Sequence, residues 1–376
     1  MMVLTHVTFT GNRVALALSA IQSNATPLQV GLLMSLLAVM PMFLSVHAGR
    51  WTDRVGVFLP MCIALCLMIT GAVLPALGGA LGMLYAASIL LGSGFMLAHV
   101  AINNAIGHAS TPETRTSAFS LLALGFSTST LAGPMIAGFV IDYQGFTTSF
   151  LTLAAFSAGA ALLLLGFGKS RPMTAHVAAA PAADLHVLDL LRHGPLRAVF
   201  ITSGLLSMGW DLFTFMVPIQ GARIGLSAST IGLIMGSFGA GTFVVRLAMP
   251  RVARILPAWH ILTFALAITS LVYLLFPLFS AVPVLLGLAF LLGLGLGSAM
   301  PMVMSLIYFV APEGRTGEAV GVRSTLINAS QTTLPLLFGA LGAVTGTVPV
   351  FWALAILLAL GGLFSSRQNA AHRRRE

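Results

Sequence analysis

Charged residues are scarce in this chain of 376 residues, which contains 18 Lys and Arg and only 9 Asp and Glu, a charged fraction of 7%. A typical globular domain has about 25% charged residues. Hydrophobic residues account for 58% of the chain, and the mean hydropathy is +1.00. This balance excludes an ordinary water-soluble domain and predicts a protein that crosses a membrane several times.

The residue patterns of common enzymes are also missing. The sequence has no Gly-rich phosphate loop of the Walker type, which argues against ATP-driven transport, and no Cys/His set with metal-ligand spacing. Its two cysteines, Cys62 and Cys66, lie in an apolar segment without a second pair, so we interpret them as packing residues. We therefore expect no catalytic residue, no metal and no cofactor.

Long apolar segments dominate what remains, and a spanning helix needs about 20 such residues. The predicted fold class is therefore all-α, with twelve transmembrane helices. The predicted spans are 3–22, 28–48, 57–76, 80–104, 116–141, 147–168, 198–219, 229–249, 258–277, 283–307, 319–343 and 349–366.

The second half of the chain repeats the first. The segment Pro-Glu-Thr-Arg-Thr at 112–116 returns as Pro-Glu-Gly-Arg-Thr at 312–316, and further anchors keep nearly the same offset. Such a register predicts two six-helix halves related by a parallel repeat, one of the known plans of secondary transporters. The predicted halves are 1–168 and 198–376, joined by a linker at 169–197. The further anchors are Gly31 with Gly232, Pro134 with Pro335, and Gly138 with Gly339.

Basic residues predict the orientation, because Lys and Arg collect in cytoplasmic loops. Sixteen of the eighteen fall on one side of the predicted spans, whereas Arg223 lies on the other side and Arg13 inside the first span. Both termini and the linker are therefore predicted to be cytoplasmic, and the membrane is predicted to be an inner membrane. The basic tail is predicted to lie on anionic lipid, and no role in nucleic-acid binding is expected. The sixteen are Arg50, Arg54, Arg115, Lys169, Arg171, Arg192, Arg197, Arg246, Arg251, Arg254, Arg315, Arg323, Arg367, Arg373, Arg374 and Arg375.

Within the predicted linker, residues 178–183 have the composition of a flexible tether. The stretch 184–193 carries Leu185, Leu188 and Leu191 on one side and fits a short helix on the membrane surface. An unstructured tether explains the same residues equally well.

The loop after the second span is the most specific local signal. Residues 49–56 (Gly-Arg-Trp-Thr-Asp-Arg-Val-Gly) resemble the Gly-x-x-x-Asp-Arg-x-Gly signature of the major facilitator superfamily, although Trp51 and Val57 depart from it. The resemblance implies a latch in which Asp53, beside Arg54, faces the start of the eleventh helix near 317–318. Gly49 and Gly56 are expected to permit tight turns. Solvated loop charges are the alternative interpretation, and the matching loop 246–251 has no acid.

A second resemblance concerns the fifth span. Gly133, Pro134 and Gly138 look like a degenerate form of the Gly-Pro motif of proton-coupled drug antiporters in that superfamily, with Ser129 and Ala137 in place of glycines. A structural kink explains these residues as well as a hinge does. Ser88 stands where that group carries an Arg in the fourth helix, so a proton relay built around such an Arg is not expected here.

Ionisable residues inside spans are functional candidates because burying each costs about 2.5 to 3.5 kcal/mol. Arg13 and His6 lie in the first span, Asp211 in the seventh and His99 in the fourth. The resemblance places the first and seventh helices beside a central cavity. If Arg13 and Asp211 pair, they form a gate. If they do not, Asp211 can carry a proton while Arg13 holds an anionic group.

Polar and aromatic neighbours complete the candidate site. Possible hydrogen-bond donors to the cavity, which could equally join helices, are Asn12, Asn328 and Gln331. His99 and Asn103 lie one turn apart on one face of the fourth span, followed by Asn104 and His108, and His99 could carry a proton or form a hydrogen bond between helices. Trp210, Phe213 and Phe215 surround Asp211 and form either a pocket wall or ordinary packing.

The function predicted from these patterns is secondary transport of a small molecule, by a monomer that alternates access between its two halves. Proton-coupled efflux of amphipathic compounds is the first hypothesis, and proton-coupled uptake of a small organic anion is the second. A membrane sensor or scaffold that does not transport is the third. A scaffold has no reason to turn Arg13 and Asp211 inward.

Overall fold

The computed structural model describes residues 1–167, 187–312 and 315–373, and every regular element in them is helical. The predicted all-α class is thus confirmed. The elements are α1 (Met2–Gln22), α2 (Pro27–Val55), α3 (Phe58–Leu77), α4 (Leu81–Ala109), α5 (Pro112–Phe167), α6 (Val187–Arg192), α7 (Gly194–Arg223), α8 (Ala228–Ile255), α9 (Ala258–Leu275), α10 (Val282–Val310), α11 (Thr316–Thr345) and α12 (Thr347–Arg373). A 3-10 turn, Phe276–Leu278, follows α9.

Helix α5 consists of two arms, because Gly145 interrupts it with a left-handed backbone, φ 83° and ψ 174°. The first arm precedes Gly145 and the second follows it. In the described residues, nine segments are long and apolar enough to cross a membrane, and one of them contains both arms. Helices α1 and α11 do not belong to that set, since both are rich in polar residues. For these two helices, spanning stays a prediction.

Short connections make successive long helices antiparallel, so the bundle has two ends. The basic end contains Met2, Val55 and Arg192, and the far end contains Gln22 and Gly145. Two helix starts at the far end, those of α2 and α8, are capped by side chains. Helix α2 begins with a capping box between Thr26 and Gln29, and Ser227 Oγ accepts a hydrogen bond from the Thr230 amide (3.2 Å) at the start of α8.

The backbone confirms the parallel repeat at a constant spacing of 201 residues. Asn24 and Gly225 follow α1 and α7 with φ values of 60° and 78°. Gly145 and Gly346, at the turns between the two arms and between α11 and α12, both have φ 83°. Positive φ is uncommon outside glycine. Two such matches at one spacing therefore show that each half builds these turns in the same way.

Paired glycines hold the two halves together toward the far end. A Cβ on Gly31 would collide with the carbonyl oxygen of Pro335, and one on Gly232 would collide with that of Pro134. The first contact joins α2 to α11, and the second joins α8 to the first arm of α5. Small residues allow such close approach of helices in membranes. The repeat thus produces two equivalent seams, and further contacts of the same kind pair Gly138 with Ala228 and Gly339 with Pro27.

The connections between the helices differ from the prediction at Gly49 and agree with it at Gly56. Helix α2 continues to Val55, so Gly49 is helical and the prediction of a turn there was wrong, whereas Gly56 ends the helix with φ 82°. Helix α6 lies inside the stretch 184–193 that was predicted as helix or tether. The tether 178–183, Lys169, Arg171, Glu313, Gly314, Arg374 and Arg375 lie outside the described residues.

Candidate functional site

A cavity of about 70 Å³ lies where the two halves meet in the middle of the bundle. Pockets for drug-sized ligands are typically about 300–1,000 Å³, so a larger ligand requires this cavity to widen. Its walls come from α1 and the first arm of α5 in one half, and from α7 and α8 in the other. They are formed by His6, Phe9, Thr10, Arg13, Thr130, Pro134, Trp210, Phe213, Thr214, Met235 and Phe238.

Arg13 brings the positive charge of the cavity. Its Nη2 donates a hydrogen bond to Thr214 Oγ1 (2.9 Å), across the boundary between the halves. Its Nε is buried and has no hydrogen-bond partner among the described residues. A buried donor without a partner costs free energy until water or a ligand reaches it. Arg13 is therefore only partly satisfied and faces a space where a ligand can bind.

Asp211 lies on α7, close to Arg13, but it is not part of the cavity wall. Its side chain is 2% exposed and faces Ser330 and Gln331 of α11. Its Oδ2 has no hydrogen-bond partner in the part of the chain that the structure describes. Within the same residues, Arg13 and Asp211 form no ion pair. In this conformation the two charges are neighbours but do not make the gate that one of the two mechanisms requires.

Two histidines and three phenylalanines form an aromatic cluster next to the cavity. The His6 ring lies 5.3 Å from the Phe95 ring and 4.8 Å from the Phe126 ring, measured between centroids. The His99 ring lies 5.5 Å from the Phe126 ring, and Phe9 stacks on Phe95 at 4.2 Å. His6 lines the cavity and its Nδ1 has no described partner, whereas His99 is exposed on α4.

Asn12, Asn103 and Gln331 are not part of the cavity wall. Asn12 is fully buried and donates to the Thr8 carbonyl of its own helix (2.8 Å), and Asn103 donates in the same way to the carbonyl of His99 (2.7 Å). Gln331 faces Asp211 instead. Of the predicted aromatic wall, Trp210 and Phe213 line the cavity and Phe215 is buried in the core.

Two buried arginines were not predicted as functional candidates, because Arg246 and Arg323 were counted with the basic residues of the cytoplasmic side although they fall inside the predicted spans 229–249 and 319–343. Both lie inside helices. Arg246 on α8 donates to the Ala123 carbonyl and to Ser127 Oγ, each at 2.9 Å, and so joins the second half to the first arm of α5. Arg323 on α11 is 7% exposed and donates to Ser203 Oγ (2.8 Å). The signal that could have identified Arg246 as buried is its distance from the nearest helix end, since it lies several residues before α8 ends at Ile255.

The sequence model of the Major Facilitator Superfamily matches residues 1–280 and, in a second match, residues 199–375. The chain belongs to the major facilitator superfamily. The overlap of the two matches agrees with the repeat seen in the backbone. Members of this superfamily are transporters and not enzymes, so the predicted family and the non-enzymatic assignment are confirmed.

Known relatives include Multidrug resistance protein 1 of Bacillus subtilis (strain 168), 24% identical over 339 residues that cover 88% of this chain and 85% of the relative. Tetracycline resistance protein, class D, of Salmonella ordonez is 28% identical over 325 residues, with 82% and 78% covered. Among solved structures, a POT family transporter in complex with a thioalcohol conjugated peptide superposes with a TM-score of 0.77 at 15% identity, covering 96% of this chain and 94% of that one. The last similarity concerns the fold alone.

Asp53 of the superfamily signature contacts a different residue in this conformation from the one that was predicted. Asp53 accepts a hydrogen bond from Asn104 Nδ2 (2.5 Å) on α4, in its own half. Glu318, near the predicted contact point on α11, instead pairs with Arg315 (2.7 Å). Contact between Asp53 and α11 therefore remains a prediction for another conformation.

A carboxylate does join a helix start of the other half at the far end. The Asp142 oxygens accept hydrogen bonds from the backbone amides of Ala228 (3.0 Å) and Ser229 (2.7 Å), the first residues of α8. Negative charge is stabilised at a helix N-terminus. This contact links the first arm of α5 to α8, and no pattern in the sequence had singled it out.

The Gly-Pro motif lies at the same seam and next to the cavity. A Cβ on Gly133 would collide with Thr10 Oγ1 of α1, and one on Gly138 would collide with the Ala228 carbonyl of α8. Pro134 lies between them and lines the cavity. The motif therefore allows the first arm of α5 to pack closely against α1 of its own half and against α8 of the other half.

Proposed function

We propose that this superfamily member is a proton-coupled secondary transporter that exports small amphipathic organic molecules. One observation carries the proposal: a cavity at the boundary between the halves is lined by aromatic rings and Arg13, with the buried carboxylate of Asp211 beside it. Charges at this depth are costly and typically mark transport pathways. The names of the relatives, which describe drug and tetracycline resistance, favour export of an amphipathic substrate.

Alternating access supplies the mechanism. The far end is closed by the glycine seams and by Asp142, so reopening it requires the two halves to rock apart there. Arg13 must exchange its bond with Thr214 when a substrate enters or when the halves move. Asp211 takes the proton, because its Oδ2 is buried without a donor and protonation removes the cost of burying its charge.

The basic residues support an orientation for this proposal. With the basic end in the cytoplasm of an inner membrane, both termini are cytoplasmic and the closed far end faces outward. The cavity is then reached from the cytoplasmic side, the side from which an exporter loads. We propose that the working unit is a monomer, because each seam joins the two halves within one chain.

Uptake of a small organic anion with protons is a second candidate, and Arg13 at the cavity favours it. The scaffold hypothesis has less support. Both charges are turned into the bundle, since Arg13 lines the cavity and Asp211 is 2% exposed.

The test uses purified protein in liposomes that contain a pH-sensitive dye, with lipophilic cations and small organic acids added in turn. We expect proton movement that depends on one panel and is lost in Asp211→Asn. The matched control is Asp189→Asn, because Asp189 is exposed on α6 and lies away from the cavity. The direction of proton flow relative to substrate separates export by exchange from uptake by symport. Proton coupling that persists in Asp211→Asn would contradict the role of Asp211.

A further inference from the structure

We propose that the central cavity binds single-ring aromatic anions, such as an aromatic carboxylate, in preference to lipophilic cations. This proposal rests on the transport function above and names the chemical class of its substrate. It stands on three features of the described residues: the sign of the charges around the cavity, the neutral partners of the buried arginines, and the aromatic walls.

The charges around the cavity are mainly positive. Arg13, Arg246 and His99 all lie close enough to His6 to interact with it electrostatically, and His6 itself lines the cavity. Asp211 is the acid that interacts with Arg13. With both histidines neutral, the charged groups of this region are two arginines and one carboxylate, so the region stays positive when Asp211 is ionised and becomes more positive when it is protonated. An entering anion is attracted in either state, and an entering cation is repelled.

The buried guanidinium groups have neutral hydrogen-bond partners. Arg13 donates to Thr214, Arg246 to Ala123 and Ser127, and Arg323 to Ser203. Hydroxyl and carbonyl oxygens satisfy the donors but do not neutralise the charge. A charge buried at low dielectric without an opposite charge is strongly disfavoured. Asp211 is near Arg13 but forms no ion pair with it, so an anion bound at Arg13 supplies an opposite charge in direct contact and reaches the unpartnered Nε.

The walls favour a flat apolar ring next to that anionic group. The Phe213 and Phe238 rings stack at 4.4 Å, and Trp210 meets Phe238 edge to face at 4.7 Å. Aromatic rings prefer such offset and edge-to-face contacts with another ring. The volume of about 70 Å³ suits one ring after small side-chain movements better than it suits several fused rings. Thr10 and Thr130 supply hydroxyl groups at the same wall.

The experiment compares three probes that share one ring and differ in charge: benzoate, benzamide and benzylammonium. Their binding to the purified protein is measured by calorimetric titration. We expect benzoate to bind at least about tenfold more tightly than the other two, the effect of one charge-assisted contact. Arg13→Gln should lower benzoate affinity by about 10- to 100-fold, and Arg13→Lys should retain part of it. The matched control is Arg223→Gln, an exposed arginine at the far end, which should leave the affinity unchanged.

A second variant changes the charge in the opposite sense. Asp211→Asn removes the negative charge beside Arg13, so at an alkaline pH at which the wild-type carboxylate is ionised, benzoate affinity should rise by roughly three- to tenfold, while benzylammonium should not gain. This variant keeps the proposal testable if Arg13→Gln fails to fold, which its thermal melting curve would reveal.

The proposal is overturned if benzylammonium or benzamide binds as tightly as benzoate, if none of the three binds, or if the Asp211→Asn and Arg13→Gln variants bind benzoate as the wild type does. Transport of lipophilic cations in liposomes, without benzoate binding, would overturn this inference and leave the transport function standing. No transport of any compound would refute the transport function itself.

Discussion

The hydrogen bonds of Asp142 predict a measurable shift between conformations. Its carboxylate accepts from the Ala228 and Ser229 amides, while Ser227 Oγ accepts from the Thr230 amide, so the first three amides of α8 are all satisfied. Opening the far end separates α8 from the first arm of α5 and breaks the two bonds to Asp142. Asp142→Ala should therefore favour the open far end.

The magnitude follows from the two bonds and their setting. A side chain that caps a helix start contributes about 0.5–2 kcal/mol, and a negative charge at an exposed N-terminus adds about 0.3–1 kcal/mol. Asp142 is exposed, so water replaces part of the interaction when it breaks. We expect a net loss of about 1–2 kcal/mol in Asp142→Ala, which shifts the equilibrium about 5- to 30-fold toward the open far end. Asp142→Asn keeps one acceptor and should shift it less.

The shift can be measured by pulsed electron paramagnetic resonance between nitroxide labels at positions 147 and 345. Both residues are exposed at the far end, one in each half, and the background carries serine at Cys62 and Cys66. Gln144→Ala is the control, since Gln144 is an exposed neighbour of Asp142. An unchanged distance distribution in Asp142→Ala, where the wild type shows both populations, would refute the reasoning.

Two other predictions concern the seam and the signature. Gly232→Ala should destabilise the closed far end, because the new Cβ would collide with the Pro134 carbonyl; Gly204→Ala, where a Cβ meets no atom within 4 Å, should leave the same label distances unchanged. Asp53→Asn should slow transport and shift the conformational balance while substrate affinity stays nearly constant, because its described partner is Asn104 and not the cavity. A large loss of substrate affinity in Asp53→Asn would contradict a purely conformational role.

Repeat, fold class and family could be predicted because they depend on patterns spread over the whole chain. Apolar runs of helical length, and glycines matched at one offset, are still recognised when a single residue departs from the pattern. The midplane charges were also predictable, since Arg13 and Asp211 interrupt long apolar segments. Their separation was not predictable, because whether two charges on α1 and α7 touch depends on how the two halves are tilted.

The misses have a common physical cause. Gly49 was assigned to a turn because the hydrophobic run weakens there, but α2 continues to Val55. Arg246 and Arg323 were counted with the basic side because a charge was expected at a helix end, but both lie inside α8 and α11. A helix continues as long as its backbone hydrogen bonds are satisfied, whatever the hydropathy of its side chains. Asp142 was missed for a related reason, since its partner is the backbone of a helix 86 residues away.

The repeat also explains why the carboxylate of Asp142 occurs at only one of the two seams. At the spacing of 201 residues, Ala228 corresponds to Pro27 and Asp142 corresponds to Ala343. Proline has no backbone amide hydrogen, so α2 starts with one donor fewer to satisfy and needs no acid opposite it.

The glycines that allow close packing are kept in both halves, whereas the charges differ at equivalent positions. These pairs are Arg13 with Thr214, Thr10 with Asp211, and Asp53 with Arg254. A symmetric scaffold can rock about its centre, but binding a substrate on one side and a proton on the other requires the two halves to carry different charges.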